Sequence, residues 1–180
     1  MVVGRTTLVK GVPYLLNAFT NVVKKYPDCR LVIIGSVYDP ASILKLSKRI
    51  VAKISYTGLV GKDELTQWYK IAEIGLIHSL SEQCSYSGIE MMMHGLPVVA
   101  SDGFGVRCMF KDGVNARIAI IGNRKKMRGY ETNLTNAILE LLISDEQCKQ
   151  LSKNARKVYD TYHTSEKMHE KYTKLLEALN

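Results

Sequence analysis

Short apolar runs alternate with helix-like segments along almost the whole chain, and this alternation constrains the fold more than any other feature. Apolar runs of four or five residues bounded by turn residues are typical of strands buried on both faces of a sheet. Since a strand–helix–strand order makes consecutive strands parallel, the pattern predicts an α/β fold: a doubly wound, mostly parallel sheet with helices on both faces. The predicted strands lie at about 1–4, 31–35, 54–58, 74–77, 96–100 and 117–121, and the predicted helices at about 12–26, 41–53, 63–72, 85–95, 131–143, 145–162 and 165–179.

The composition fits one well-packed domain. The chain has 180 residues, 46% of them hydrophobic, which is enough for one filled core. No apolar run approaches the roughly 20 residues that a membrane-spanning helix needs, and we expect no cleavable signal at the start of the chain. The four cysteines are widely spaced without a C-x-x-C pair, so neither a disulfide framework nor a zinc site is predicted. A reducing cytoplasm suits this pattern best.

The net charge of +8 favours an anionic partner, which could be nucleic acid, an anionic membrane surface or a phosphorylated ligand. No nucleic-acid-binding motif accompanies the charge, and the basic residues are spread over several segments, so we expect no nucleic-acid partner. A diphosphate-bearing ligand and an anionic membrane surface remain. The densest basic cluster, at residues 124–128, is interpreted as a solvated loop.

Two carboxylates flank a serine-rich helix start in the middle of the chain. Glu82 precedes the predicted helix at residues 85–95, and Glu90 lies inside it. The unpaired backbone N–H groups of a helix start, together with the positive end of the helix dipole, favour a bound phosphate. Ordinary helix capping, with Glu90 serving only the helix dipole, explains the same residues.

The stretch from His78 to Asp102 resembles the Glu-x7-Glu signature of retaining, nucleotide-sugar-dependent glycosyltransferases of the GT-B fold, family-4 type. A helix, Gly95, Pro97 and an apolar strand follow the two acids as the pattern of that family requires. A second match is the pattern Gly-Arg-x4-Lys-Gly at residues 4–11. The resemblance covers residues 3–115 well, and the remainder only in its helical layout.

The resemblance implies a role for each matching residue. Arg5 and Lys10 contact the donor diphosphate and neutralise the charge that grows on it as it leaves, assisted by backbone N–H groups of residues 85–87. Glu82 positions the donor sugar, and Glu90 binds the ribose. The implied catalytic residues are Arg5, Lys10 and Glu82, and the implied substrate-binding residues are Leu59, in a loop whose backbone holds the base, with Ser85, Tyr86, Ser87 and Glu90.

The resemblance also implies a longer protein whose two domains bind the donor and the acceptor separately. Residues 1–180, with a helical tail at about 145–180, correspond to the C-terminal domain that binds a UDP- or GDP-linked sugar. An N-terminal domain outside this sequence binds the acceptor. Such an enzyme needs no metal or cofactor, and this domain alone is expected to be inactive. The full-length protein is expected in the cytoplasm, with the inner face of an anionic membrane as a further partner of its basic surface.

Several positions depart from the pattern of that family or argue against other sites. Cys84, Ser85, Cys108 and Ala116 replace residues that the family usually carries, which leaves the donor sugar open. No D-x-D sequence occurs, and the two glycines at 103 and 105 lack the third glycine of a dinucleotide-binding loop. Glu90 and His94 stand four apart without a third ligand at suitable spacing, so no metal site is predicted. Trp68 is interpreted as a core residue, Tyr69 as part of the apolar face of its helix, and His78 as a packed or hydrogen-bonded histidine.

Two other functions fit the residues. A non-catalytic nucleotide- or phosphate-binding subunit would use Arg5 and Lys10 and would not need Glu82. An adaptor that binds a membrane surface through charge alone would ignore free nucleotides and would bind less tightly as salt rises.

Overall fold

Six parallel strands form the centre of the fold. The computed structural model describes residues 1–37, 39–123, 127 and 129–179, with only the backbone of residue 42. The basic cluster predicted as a solvated loop at 124–128 lies outside these residues, apart from Met127. One sheet has the strand order β1-β2-β3, and the other has the order β4-β5-β6. The strands are β1 (Val2–Val3), β2 (Leu31–Ile34), β3 (Ile54–Gly58), β4 (Gly75–Ile77), β5 (Val98–Ser101) and β6 (Arg117–Ala119).

The two sheets meet edge to edge at β1 and β4. The backbone N–H of Leu76 in β4 donates to the carbonyl of Met1, just before β1, at 2.9 Å. Within each sheet the pairs are parallel, with Val2 opposite Ile33 and Leu76 opposite Val99. The strands therefore follow the spatial order β3-β2-β1-β4-β5-β6. Chain order reverses between β1 and β4, and such a reversal opens a crevice at the carboxyl ends of the strands.

Helices cover both faces of the strands. Val99 of β5 belongs to one hydrophobic cluster with helices α1 (Val12–Lys25) and α6 (Tyr130–Ile143). Its neighbours Val98 and Ala100 belong to a second cluster with helices α3 (Lys62–Ile71) and α4 (Tyr86–Met93). Since adjacent strand residues point to opposite faces, the two clusters lie on opposite sides. This confirms the predicted doubly wound α/β fold. The helices are α1 (Val12–Lys25), α2 (Pro40–Ser47), α3 (Lys62–Ile71), α4 (Tyr86–Met93), α5 (Val106–Met109), α6 (Tyr130–Ile143), α7 (Asp145–Tyr162) and α8 (Ser165–Glu177).

The helix predicted at 41–53 begins within one residue of its expected start but ends six residues earlier than expected. Helix α2 ends at Ser47, and a turn separates it from a short 3-10 helix, Val51–Lys53. The hydroxyl of Ser47 donates to the carbonyl of Ile43 at 2.7 Å, and such side-chain bonds compete with the helical backbone pattern. The β-branched residues Ile50 and Val51 follow, and such side chains disfavour continuation of an α-helix.

The last helix, α8, contributes no buried residue to the core. Its large apolar side chains, which share one stripe, are exposed: Met168, Tyr172, Leu175 and Leu176. Leu179, just after the end of the helix, is exposed as well. Nowhere in the described part of the chain does a helix combine the length and the apolar character that crossing a bilayer requires.

Candidate functional site

A cleft of about 380 Å³ opens where the sheet order reverses. Its walls come from the ends of β1 and β4, the loops that follow them, and the first turns of α4. Seven of the eight residues predicted for the site line this cleft: Arg5, Lys10, Glu82, Ser85, Tyr86, Ser87 and Glu90. Leu59, after β3, is 85% exposed and lies outside the cleft, so its contact with a base stays a prediction.

A larger cavity of about 630 Å³ lies at the other edge of the strands. Pro27, Glu73 and Ile74 are among its lining residues, and none of the predicted site residues is. Ligands of doubly wound sheets bind at the carboxyl ends of the strands. The smaller cleft is therefore the candidate site, although the other cavity has more volume.

An ion pair joins two loops across the cleft. Lys10 Nζ lies 2.5 Å from Glu82 Oε1, and the two side chains are only 31% and 15% exposed. The backbone supports the same contact, because Leu80 N–H donates to the carbonyl of Val9 at 3.0 Å. Hydrogen bonds between charged partners are among the stronger ones in proteins. The sequence placed both residues at the site but did not reveal their pairing, since 72 residues separate them.

Two glycines allow the loops of the cleft to approach each other. Gly105 has φ +78°, and a Cβ there would lie 1.9 Å from the carbonyl oxygen of Glu82. Gly11 has φ +72°, and its Cβ would lie 2.6 Å from the carbonyl oxygen of His78. Glycine is the residue that adopts such backbone angles without strain. The glycine-containing loop at 103–105 therefore supports the loop of Glu82, whose N–H donates to the carbonyl of Phe104 at 2.9 Å.

The start of helix α4 is capped by a buried serine. Ser85 Oγ accepts from the N–H of Gly88 at 3.2 Å and lies 3.3 Å from Ser87 Oγ. The capping alternative raised by the sequence is thus realised at Ser85. Tyr86 and Ser87 belong to the first turn, whose N–H groups have no acceptor within the helix. The capped turn still presents these donors beside the cleft.

Glu90 is held by a tyrosine from a neighbouring helix. Tyr69 of α3 donates its hydroxyl to Glu90 Oε2 at 2.7 Å. Burial, and then the nearby carboxylate of Glu90, raises the pKa of Tyr69 well above its ordinary range, so the phenol stays a donor. Tyr69 is 3% exposed, as expected for the predicted apolar face of its helix. Its bond to Glu90 could not be predicted from local patterns, because α3 and α4 are brought together only by the fold.

His78 lies beneath the cleft at the end of β4. It is 4% exposed, and neither ring nitrogen has a hydrogen-bond partner within the described residues. Burial lowers the pKa of His78 to about 4; the backbone of Leu76 opposes this shift, and the smaller effect of the nearby Lys10 charge adds to it. The imidazole is therefore neutral at physiological pH. Its backbone carbonyl accepts from the hydroxyl of Tyr130 at 2.8 Å.

Within the described ranges, no three side chains of the types His, Cys, Asp and Glu converge in a way that would hold a metal ion. Two cationic side chains, Arg5 and Lys10, line the cleft. Arg5 is exposed, lines the cleft and forms no hydrogen bond or ion pair with any described residue. A side chain of this kind is suited to an anion.

The chain can be assigned to a known protein family. The family model described as "Glycosyl transferases group 1" matches residues 1–158, so the chain belongs to that family. An uncharacterized glycosyltransferase of Haemophilus influenzae is 29% identical over 146 residues, which cover 80% of this chain and 41% of the relative. An uncharacterized glycosyltransferase of Methanocaldococcus jannaschii is 33% identical over 115 residues, which cover 63% of this chain and 29% of the relative. The chain thus spans less than half the length of these relatives.

Two solved structures share the fold of this chain. HepE of Anabaena, in complex with UDP, superposes with a TM-score of 0.83 over 98% of this chain and 48% of that one, at 17% identity. The C-terminal domain of a glycosyl transferase group 1 family protein from Francisella tularensis gives a TM-score of 0.77 over 91% of this chain and 85% of that one, at 18% identity. At such identities these likenesses establish the fold, which is one Rossmann-like half of the GT-B type.

Proposed function

We propose that this chain binds the nucleotide-sugar donor of a retaining glycosyltransferase that needs no metal. The donor is a UDP- or GDP-linked sugar, and the acceptor is bound mainly by an N-terminal domain of the full-length protein. One observation carries the proposal: seven residues predicted from two separate parts of the sequence line a single cleft at the reversal of strand order. The UDP bound to HepE supports a ligand of this type.

Arg5 and Lys10 are proposed to neutralise the diphosphate. A leaving nucleoside diphosphate gains negative charge as the bond to the sugar breaks, and fixed cations and backbone N–H groups stabilise that charge. Arg5 reaches into the cleft from the loop after β1, and the first turn of α4 adds N–H donors on the other side. Cations of the chain thereby take the place that a divalent metal holds in other transferases.

Glu82 and Glu90 are proposed to accept hydroxyls of the donor. A carboxylate offers about four acceptor positions on its two oxygens, so one partner does not saturate it. In Glu82, Oε1 accepts from Lys10, and in Glu90, Oε2 accepts from Tyr69. The remaining positions are available for the sugar at Glu82 and for the ribose at Glu90.

Retention of configuration is proposed to follow from same-face attack by the acceptor, as the resemblance implies, so no residue of this chain is assigned as a nucleophile. The acceptor side of the reaction is supplied from outside this chain, which spans less than half of its relatives. We therefore expect the chain to bind a donor nucleotide without transferring sugar.

Calorimetry with UDP and GDP tests the proposal. Replacing both cations, Arg5→Ala with Lys10→Ala, should weaken binding by about 3 kcal/mol, roughly 150-fold in Kd, because each hydrogen bond to a charged group contributes about 1.5–3 kcal/mol. The matched control is Lys48→Ala with Arg49→Ala, which removes the same charge at exposed positions outside the cleft. Equal affinities of the two double variants would refute the diphosphate assignment.

A further inference from the structure

We propose that Tyr69 is a positioning residue of the nucleotide site: its hydroxyl holds the carboxylate of Glu90 in the orientation that receives the ribose. The inference rests on the proposed function, because it deepens the role given there to Glu90. Tyr69 does not line the cleft, so it acts on the ligand only through Glu90.

The ring of Tyr69 has little freedom to move. It is 3% exposed and belongs to the same hydrophobic cluster as Met91 and Met92, the two residues that follow Glu90 on α4. On its other side, the imidazole of His94 stacks on it, with ring centroids 5.1 Å apart and planes inclined by 17°. His94 lies one helical turn after Glu90. The tyrosine on α3 therefore packs against α4, and its hydroxyl is directed at the carboxylate of Glu90.

The hydroxyl needs a partner, and Glu90 is the one it has. A buried hydroxyl without a hydrogen bond is destabilising, because the water that it lost is not replaced. The O–H of Tyr69 donates to Glu90 Oε2 at 2.7 Å, a short distance of the kind found with charged acceptors. The other carboxylate oxygen, Oε1, forms no hydrogen bond with any described residue. One oxygen is thus anchored in the core, and the other is left for a ligand.

Anchoring of this kind favours binding. A glutamate side chain has three rotatable bonds, and fixing them when a ligand arrives opposes association. When a buried group fixes them beforehand, that loss no longer weakens the complex. Tyr69 should therefore increase affinity for ligands that contact Glu90 and leave affinity for other ligands unchanged. This selectivity separates positioning from a general contribution to stability.

The test compares two ligands on one set of variants. Tyr69→Phe keeps the ring and its stacking and removes only the hydroxyl. By calorimetry it should weaken UDP binding about tenfold, equivalent to about 1.4 kcal/mol, and leave the affinity for inorganic pyrophosphate unchanged. In a Glu90→Ala background, the same substitution should no longer affect UDP affinity, because the group through which it acts is gone. Tyr159→Phe, a partly buried tyrosine outside the cleft, is the matched control and should change neither ligand.

The outcomes distinguish the two proposals. If the unsubstituted chain binds neither UDP, GDP nor pyrophosphate, the proposed function fails and the role of Tyr69 fails with it. If it binds UDP through Arg5 and Lys10, but Tyr69→Phe affects UDP and pyrophosphate equally or affects neither, the function stands and the positioning role is wrong. A fold weakened by Tyr69→Phe would lower both affinities together, and the ratio between the ligands would then not move. A tenfold fall in that ratio, absent in the Glu90→Ala background, supports the proposal.

Discussion

Acidification should destabilise this protein through one buried histidine beneath its cleft. The pKa of His78 falls from an ordinary 6.5 to about 4 on folding, because burial disfavours the charged ring. Between these two values the unfolded chain binds a proton that the folded chain does not. The free energy of unfolding therefore decreases as the pH is lowered from 6.5 toward 4.

The two pKa values set the size of the effect. At pH 7.5 the histidine is neutral in both states and contributes almost nothing. At pH 5 it is largely protonated when unfolded and largely neutral when folded. The difference corresponds to a loss of about 2 kcal/mol in the free energy of unfolding. For a domain of this size, that is a large fraction of an ordinary total stability of about 5–15 kcal/mol.

Urea unfolding at pH 7.5 and at pH 5 measures this loss in the unsubstituted chain and in His78→Leu. The His78→Leu substitution should remove about 2 kcal/mol from the difference in unfolding free energy between the two pH values. The pKa values of the Met1 amine, His94 and His163 are also lowered, in each case mainly by burial, but these groups are present in both proteins and their effects cancel. Gln67→Leu, at an exposed position of α3 whose side chain does not titrate, is the control and should keep the pH dependence of the unsubstituted chain. If the unfolding free energies of the unsubstituted chain and His78→Leu changed equally between the two pH values, the reasoning about His78 would be wrong.

Three further outcomes are expected. Gly105→Ala should destabilise the fold by more than about 2 kcal/mol in urea unfolding, because its Cβ would overlap the carbonyl oxygen of Glu82 and its φ of +78° strains any other residue; a change below about 0.5 kcal/mol would contradict this. Ser85→Ala should cost about 1 kcal/mol through loss of the α4 cap, and a variant as stable as the original would speak against that cap. UDP affinity should fall as salt is raised from 50 to 500 mM, because Arg5 is exposed and Lys10 is partly exposed; calorimetry showing no salt dependence would argue against an electrostatic site.

Local patterns in the sequence were sufficient to predict the strands and to place Arg5 and Glu82 at the same edge of the sheet. The run at 31–34 is apolar throughout because both faces of β2 are covered, and such a run predicts a buried strand from the sequence alone. Arg5 and Glu82 each follow a strand, and the carboxyl ends of parallel strands share one edge, so their meeting could be predicted from order alone. The resemblance to a family then supplied roles that spacing could not.

Contacts between distant segments were not predictable in the same way. The pairing of Lys10 with Glu82 depends on which of several loops at that edge are adjacent, and no local period records this. The bond from Tyr69 to Glu90 was missed because a tyrosine on the apolar face of a helix looks the same whether or not its hydroxyl has a partner. The early end of α2 at Ser47 depends on a hydroxyl bond within the helix that competes with backbone bonding.

The ion pair across the cleft gives Lys10 and Arg5 different electrostatic environments. Among the described residues that line the cleft, Lys10 is neutralised by Glu82, whereas Arg5 has no carboxylate partner. For a nucleoside diphosphate bound as proposed, Arg5 would contribute more than Lys10 to the local field that steers the anion into the cleft, and such fields act on the association rate. Lys10 has three N–H donors and can bind an anion while it stays bonded to Glu82, so its contribution would appear mainly in the lifetime of the complex. Diffusional encounter and residence would thus be adjustable separately, at two residues five positions apart in the chain.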